Sequence, residues 1–96
     1  MPEIEIYTQP GCPFCMRAVT LLERKKGPFK EINAPRGTQA REDAIRRSGG
    51  STTVPQVFVG DRCLGGCDDL MSLERQGKLD AALGLGENGK VGGKSG

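Results

Sequence analysis

The sequence predicts a single α/β domain in which a four-stranded mixed sheet carries helices on both faces. Two observations favour this fold class: a β-α-β pattern in the first third of the chain, and a hairpin pattern at residues 54–64 that precedes helical spacing. A length of 96 residues suits one domain with one modest core. We therefore expect a domain at residues 1–83 and a disordered glycine-rich tail at residues 84–96.

The first three elements form the β-α-β pattern. Isoleucines alternate with glutamates in residues 3–7, which predicts a strand that ends at residues 9–11. Apolar residues at helical spacing predict a helix over residues 13–25, with Gly27 as its stop. Residues 29–33 are a plausible second strand. The connection between the two strands should be a right-handed parallel crossover.

A polar helix and a strand are expected next. Residues 38–48 carry few apolar side chains and predict a mostly exposed helix that ends at Gly49 and Gly50. Residues 54–59 have strand character. Pro55 can only open that strand, because an interior proline would remove a donor from the hydrogen-bond ladder.

The remaining elements complete the sheet and cover it. Gly60 and Asp61 predict a tight turn that returns the chain through residues 62–64 as a hairpin. Apolar spacing then predicts a helix over residues 68–76 and a short last helix over residues 79–83.

The composition argues against several function classes. Fourteen Lys and Arg against twelve Asp and Glu give a net charge of +2, which is too balanced for a nucleic-acid-binding surface. No stretch approaches the roughly 20 apolar residues of a membrane helix. Four cysteines do not make a disulfide scaffold, so we expect a cytoplasmic protein with reduced thiols. Histidine is absent, which removes the commonest general base and zinc nitrogen ligand.

Cys12 and Cys15 form a Cys-x-x-Cys motif at the junction between the predicted first strand and the predicted first helix. Unpaired backbone N–H groups at a helix start favour the thiolate form of a cysteine there, so Cys12 is the expected nucleophile. Cys15 lies one turn inside, on the apolar face, and is the expected resolving thiol. Such a pair performs thiol–disulfide exchange through a mixed disulfide.

The same spacing is also half of a zinc site. A four-sulfur site built from Cys12, Cys15, Cys63 and Cys67 is therefore an alternative, although it leaves the Val54-Pro55 segment unexplained. Cys63 has no assigned function. Cys67 either binds a ligand through its backbone alone or uses its thiol.

Three motifs in register give the chain a family resemblance. Tyr7-Thr8-x-x-x-Cys12-Pro13-Phe14-Cys15, Thr53-Val54-Pro55 and Gly65-Gly66-Cys67-Asp68-Asp69 resemble the dithiol glutaredoxins, in particular the bacterial type with an extra cysteine in the last motif. The resemblance covers residues 4–83. It implies a thioredoxin-like fold, a cis Pro55, and glutathione as co-substrate and reductant, without a tightly bound cofactor.

The resemblance also implies a glutathione-binding site. Phe14 should line the cleft, the backbone of Val54 should pair with the cysteinyl part of glutathione, and the motif at residues 65–69 should hold the γ-glutamyl end. Arg41 should take the glycyl carboxylate. The complete predicted set is Gln9, Phe14, Arg41, Thr53, Val54, Pro55, Gly66, Cys67, Asp68 and Asp69.

Two departures from the family pattern affect this site. Gln9 stands where many relatives carry a lysine, and a neutral amide adds no positive charge. Gly49-Gly50-Ser51 is one residue longer than in relatives, and the assignment of Arg41 depends on where that residue falls.

The expected substrates are glutathionylated proteins and proteins with disulfides, with ribonucleotide reductase as a candidate, and the expected state is a monomer. A further alternative is a dimer that carries an iron–sulfur cluster on Cys12 and glutathione, against which Pro13 argues.

Overall fold

Four strands and four helices follow one another in the described part of the computed structural model, which comprises residues 3–25 and 28–84. The strands are β1 (Ile4–Thr8), β2 (Phe29–Asn33), β3 (Gln56–Val59) and β4 (Arg62–Gly65). The helices are α1 (Pro13–Arg24), α2 (Gln39–Arg47), α3 (Cys67–Arg75) and α4 (Leu79–Ala82).

The strands form one mixed sheet in the order β2-β1-β3-β4. β1 pairs in parallel with β2 through the α1 crossover and antiparallel with β3, and β3 pairs antiparallel with β4 as a hairpin with an irregularity between Val57 and Phe58. This topology confirms the predicted mixed sheet and places the start of α1 at the end of the central strand β1.

The alternation of side chains along the strands creates a core on each face of the sheet. On one face, Ile6 and Val57 pack with residues of α1, α3 and α4, including Leu22 and Leu70. On the other face, Tyr7 and Phe58 pack with residues that include Ala34 and Ala44 of α2. The expectation of helices on both faces is confirmed. Among the described residues, none of the helices combines the length and apolar character needed to cross a membrane.

The helix and strand ends differ from the predicted ends by one or two residues. β3 begins at Gln56, because Pro55 has no N–H to contribute to the ladder. α3 begins at Cys67, because the carboxylate of Asp69 accepts a hydrogen bond from the N–H of Gly66 and caps the helix one residue earlier than expected. The expected stop at Gly27 and the tail beyond residue 84 lie outside the described residues.

Arg47 joins α2 to the sheet. Its guanidinium lies 4.3 Å from the ring centroid of Phe58 and donates hydrogen bonds to Glu5 and to the hydroxyl of Tyr7, each at 2.8 Å. It also donates to the carbonyl of Gly60 at 3.1 Å. These contacts hold α2 over the face of the sheet that carries Tyr7 and Phe58, and so fix the helix that contains Arg41.

Candidate active site

Cys12 is the N-cap residue of α1. Its backbone is extended (φ −106°, ψ 104°), and its Sγ accepts a hydrogen bond from the N–H of Cys15 at 3.2 Å. Pro13 occupies the first helical position, where the fixed φ of proline suits a helix and its missing N–H costs nothing. The sulfur of Cys12 is therefore the acceptor for one of the backbone donors that a helix start leaves unpaired.

Cys15 lies one turn further along α1 and is only 2% exposed. Burial raises the pKa of its thiol to about 12, and the hydrogen bond and charge of Cys12 and the charge of Glu31 act in the same direction, against a backbone hydrogen bond from Gln9. Cys15 is thus a protonated thiol at neutral pH, next to a half-exposed sulfur.

An open cleft of about 430 Å³ lies beside these cysteines, between the turn before β3 and the start of α3. Eight of the ten residues predicted to bind glutathione line it. These are Phe14, Thr53, Val54, Pro55, Gly66, Cys67, Asp68 and Asp69. The structure therefore brings the three sequence motifs together around one groove, and the Sγ of Cys12 lies 4.0 Å from the carbonyl oxygen of Val54.

The peptide bond between Val54 and Pro55 is cis, as the family resemblance implies. Val54 is partly exposed and lines the cleft, while Pro55 is buried. The backbone of Val54 therefore lies at the cleft wall nearest to Cys12.

The start of α3 also lines the cleft. Gly66 is its N-cap, and an oxygen of Asp69 accepts from the Gly66 N–H at 3.0 Å, so Asp69 contributes to the helix cap. Asp68 is exposed at the cleft. The Cys67 side chain is 6% exposed, and burial, together with the charge of Asp68, raises the pKa of its thiol. This geometry favours a backbone role for Cys67.

A Cβ at Gly65 would collide with the Asp69 carboxylate, and the positive φ of +96° there also suits glycine. Glycine is thus required at this position for the cap to form.

The two remaining predicted residues, Gln9 and Arg41, contact each other outside this cleft. Arg41 is 5% exposed, and its guanidinium donates to Oε1 of Gln9 at 2.8 Å and to the carbonyls of Ala34 at 2.9 Å and Thr52 at 3.0 Å. It lines a separate groove with Arg36, Gly37 and Thr52. The contact of Arg41 with the glycyl carboxylate of glutathione stays a prediction.

We expect Arg41→Met to lower the free energy of unfolding by about 2–4 kcal/mol, because two backbone carbonyls, one of them the buried carbonyl of Ala34, lose a charged donor. Arg46→Met is the matched control on the same helix. Arg46 pairs with Asp43 at the surface, so its loss should cost less than about 1 kcal/mol. Urea unfolding of both variants measures the difference, and equal midpoints would contradict a structural role for Arg41.

Several residues that line the cleft carried no functional prediction. The side-chain amide of Gln56 donates to Ser51 Oγ and to the Thr53 carbonyl, and its oxygen accepts from the thiol of Cys63 at 3.7 Å. Gln56 is on the same face of β3 as Phe58. The alternation of side chains along the strand could therefore have indicated from the sequence which way Gln56 points. Ser48, Ser51, Gln56, Cys63 and Gly65 complete the lining.

The four-sulfur alternative requires all four cysteines in one cluster. Within residues 3–25 and 28–84, which include every cysteine, the structure places no three or more Cys, Asp or Glu residues where they could hold a metal ion together. The structure thus does not assemble the proposed cluster.

Comparison with known proteins gives a consistent result. The glutaredoxin family model matches residues 4–64. A glutaredoxin of Pseudomonas aeruginosa is 51% identical over 83 residues, which are 86% of this chain and 98% of that protein.

Solved structures of glutaredoxins also resemble this chain. The solution structure of a glutaredoxin from Brucella melitensis matches with a TM-score of 0.75 and 49% identity, covering 90% of this chain and 92% of that one. The crystal structure of a buckwheat glutaredoxin–glutathione complex matches with a TM-score of 0.74 and 26% identity, covering 85% of this chain and 76% of that one. The fold is thioredoxin-like, and with its paired cysteines this chain belongs to the glutaredoxin family of thiol oxidoreductases.

Proposed function

We propose that the protein is a glutathione-dependent thiol–disulfide oxidoreductase that reduces protein–glutathione mixed disulfides and protein disulfides. Cys12 is the nucleophile, Cys15 is the resolving thiol, and glutathione regenerates the reduced enzyme. The observation that carries the proposal is the asymmetry of the two sulfurs. Cys12 is partly exposed and its Sγ accepts a helix N–H, whereas Cys15 is buried.

In deglutathionylation, the Cys12 thiolate attacks the glutathione sulfur of a mixed disulfide. The protein–sulfur bond breaks, the protein leaves as a thiolate that takes a proton from solvent, and Cys12 carries glutathione. The thiolate of a second glutathione then attacks the glutathione sulfur on Cys12. Glutathione disulfide forms, the Cys12 thiolate is restored, and Cys15 takes no part.

In the reduction of a protein disulfide, the Cys12 thiolate attacks one substrate sulfur and the other leaves as a thiol. Cys15 then attacks Cys12, which forms the Cys12–Cys15 disulfide and releases the second substrate thiol. Two electrons pass from the cysteine pair to the substrate. Two molecules of glutathione reduce the pair afterwards.

The cleft suits glutathione chemically. The backbone of Val54 lies beside Cys12, where it can pair with the cysteinyl part of an extended peptide. The start of α3 offers unpaired N–H groups to the γ-glutamyl carboxylate, and Asp68 offers a carboxylate to the ammonium group. The glutathione complex of the buckwheat relative supports this assignment.

We assign the glycyl carboxylate to Gln9 and Arg41, which contact each other outside the cleft that the other predicted residues line. The amide of Gln9 can donate a hydrogen bond there, and the Arg41 guanidinium beside it supplies positive charge. Because Gln9 is neutral, Arg41 is the residue of this pair that can attract the glycyl carboxylate by charge.

The proposal is tested by a coupled assay that contains a glutathione mixed disulfide, glutathione, glutathione reductase and NADPH. We expect NADPH oxidation that depends on the protein and on glutathione. A protein that turns over a protein disulfide with a thioredoxin-reductase-type donor but is inert with glutathione would contradict the assignment of the reductant.

We further propose that the protein acts as a monomer in the cytoplasm, where glutathione keeps thiols reduced. We also propose ribonucleotide reductase as a candidate substrate. Gel filtration tests the oligomeric state, and an assay with the reductase tests this substrate.

A further inference from the structure

A second cavity reaches Cys15 and shares no lining residue with the cleft that holds Phe14 and Val54. It is open, with a volume of about 310 Å³, and its lining combines apolar side chains with hydroxyl, amide and carboxylate groups. The residues that line it are Thr8, Gln9, Cys15, Met16, Val19, Thr20, Glu23 and Glu31. Because the cavity is open to solvent, has room for water and offers several polar partners, water can reach Cys15 through it.

Cys15 must lose a proton in the resolving step, and this cavity offers a route for that proton. Its thiol is 2% exposed, and burial raises its pKa to about 12, yet it must lose its proton when it attacks a mixed disulfide on Cys12. The chain contains no histidine, so the usual general base is absent. The proton therefore has to leave through solvent or through a carboxylate.

The carboxylate of Glu31 is positioned to accept the proton of Cys15. In the parallel pairing of β1 with β2, Glu31 lies opposite Ile6, so its side chain is on the sheet face that α1 covers. The hydroxyl of Thr8, which is 5% exposed, donates to Glu31 Oε2 at 2.9 Å and fixes the carboxylate at the cavity. The negative charge of Glu31 acts on the Cys15 thiol, which places the two groups within electrostatic reach of each other.

Glu23 is the other carboxylate of the cavity, but it is less well placed. It lies eight residues along α1 from Cys15, which is about 12 Å at the helical rise of 1.5 Å per residue. Glu23 therefore provides a matched control.

We propose that Glu31 is the proton acceptor for Cys15 in the resolving step, reached through water in this cavity. The inference rests on the proposed function, since it requires Cys15 to resolve a mixed disulfide on Cys12.

The resolving step moves one proton and exchanges one disulfide bond for another. As the Cys15 sulfur attacks the Cys12 sulfur, its proton passes through water to the Glu31 carboxylate. The Cys12–Cys15 bond forms, the bond from Cys12 to the substrate sulfur breaks, and the substrate leaves as a thiolate. That thiolate takes a proton from solvent, and Glu31 returns its proton to solvent. Cys15 is oxidised, the substrate sulfur is reduced, and Cys12 remains part of a disulfide.

The two effects that Glu31 can have on Cys15 differ in sign. Its negative charge alone raises the pKa of the thiol and would slow the loss of the proton. A proton acceptor instead speeds it. Glu31→Gln therefore accelerates the resolving step if the charge is the whole effect and slows it if the carboxylate accepts the proton.

The resolving step can be timed with Ellman's reagent in a Cys63→Ser background, which removes the exposed thiol. One equivalent of reagent first releases a coloured thiolate when Cys12 attacks, and releases a second when Cys15 attacks the adduct on Cys12. We expect Glu31→Gln to slow the second release about tenfold or more and to leave the first within about twofold. Glu23→Gln should change neither release. In Glu31→Ala, added formate should restore part of the rate of the second release.

The outcomes separate the inference from the proposed function. A second release that is unchanged or faster in Glu31→Gln, or that formate does not restore in Glu31→Ala, overturns the role of Glu31 and leaves Cys15 as the resolving thiol. A native protein without a second release, or one in which Cys15→Ser does not abolish it, refutes the resolving role itself.

Discussion

Cys12→Ser should reduce the activity of the protein toward both glutathionylated proteins and protein disulfides by on the order of 10⁴-fold or more. Both routes begin with attack by the Cys12 sulfur, and a serine hydroxyl is not ionised at neutral pH. Serine is also a favourable N-cap residue, so its Oγ can accept the N–H of residue 15 that Cys12 Sγ accepts now. We therefore expect the loss of activity without a loss of stability.

The coupled assay with NADPH measures the first substrate, and insulin or another disulfide protein serves for the second. Thermal unfolding shows that the variant is folded. Cys63→Ser is the matched control for loss of a thiol, because Cys63 lines the cleft and is exposed but forms no bond in either exchange route. Residual activity of more than about a tenth of the native rate in Cys12→Ser would contradict the assignment of the nucleophile.

Strand positions followed from the sequence because they are encoded by neighbouring residues. Ile4 and Ile6 alternate with glutamates, and the structure buries both isoleucines on one face of β1. The start of α1 could also be predicted from neighbouring residues, since Pro13 after Cys12 identifies a first helical position. The three motifs of the cleft came together as the family resemblance implied.

The surroundings of Arg41 and Glu31 did not follow from the sequence, because they depend on contacts between distant segments. Arg41 lies on a polar helix and is buried only because Gln9, 32 residues away, and the carbonyl of Thr52 approach its guanidinium. Glu31 is a charged residue on an edge strand. Its proximity to Cys15 depends on the register of β2 against β1, which a pattern of residue types leaves open.

Cys15→Ser should separate the two activities that Cys12→Ser removes together. We expect deglutathionylation to remain within a few-fold of the native rate, because a second glutathione, and not Cys15, releases glutathione from Cys12. Reduction of protein disulfides should fall by on the order of 100-fold or more, because attack by a sulfur held next to Cys12 is replaced by attack from solution.

The serine variant keeps the site otherwise intact. The Cys12 Sγ still accepts the backbone N–H of residue 15, and serine is close in volume to the buried cysteine that it replaces. Without a resolving thiol, the covalent adduct of Cys12 with a disulfide substrate should accumulate, and mass spectrometry under non-reducing conditions detects it. Measuring both activities in one preparation controls for partial unfolding, since unfolding would lower the two activities together. Equal losses on the two substrates, with no trapped adduct, would show that Cys15 is only a buried packing residue of α1 and does not resolve the mixed disulfide.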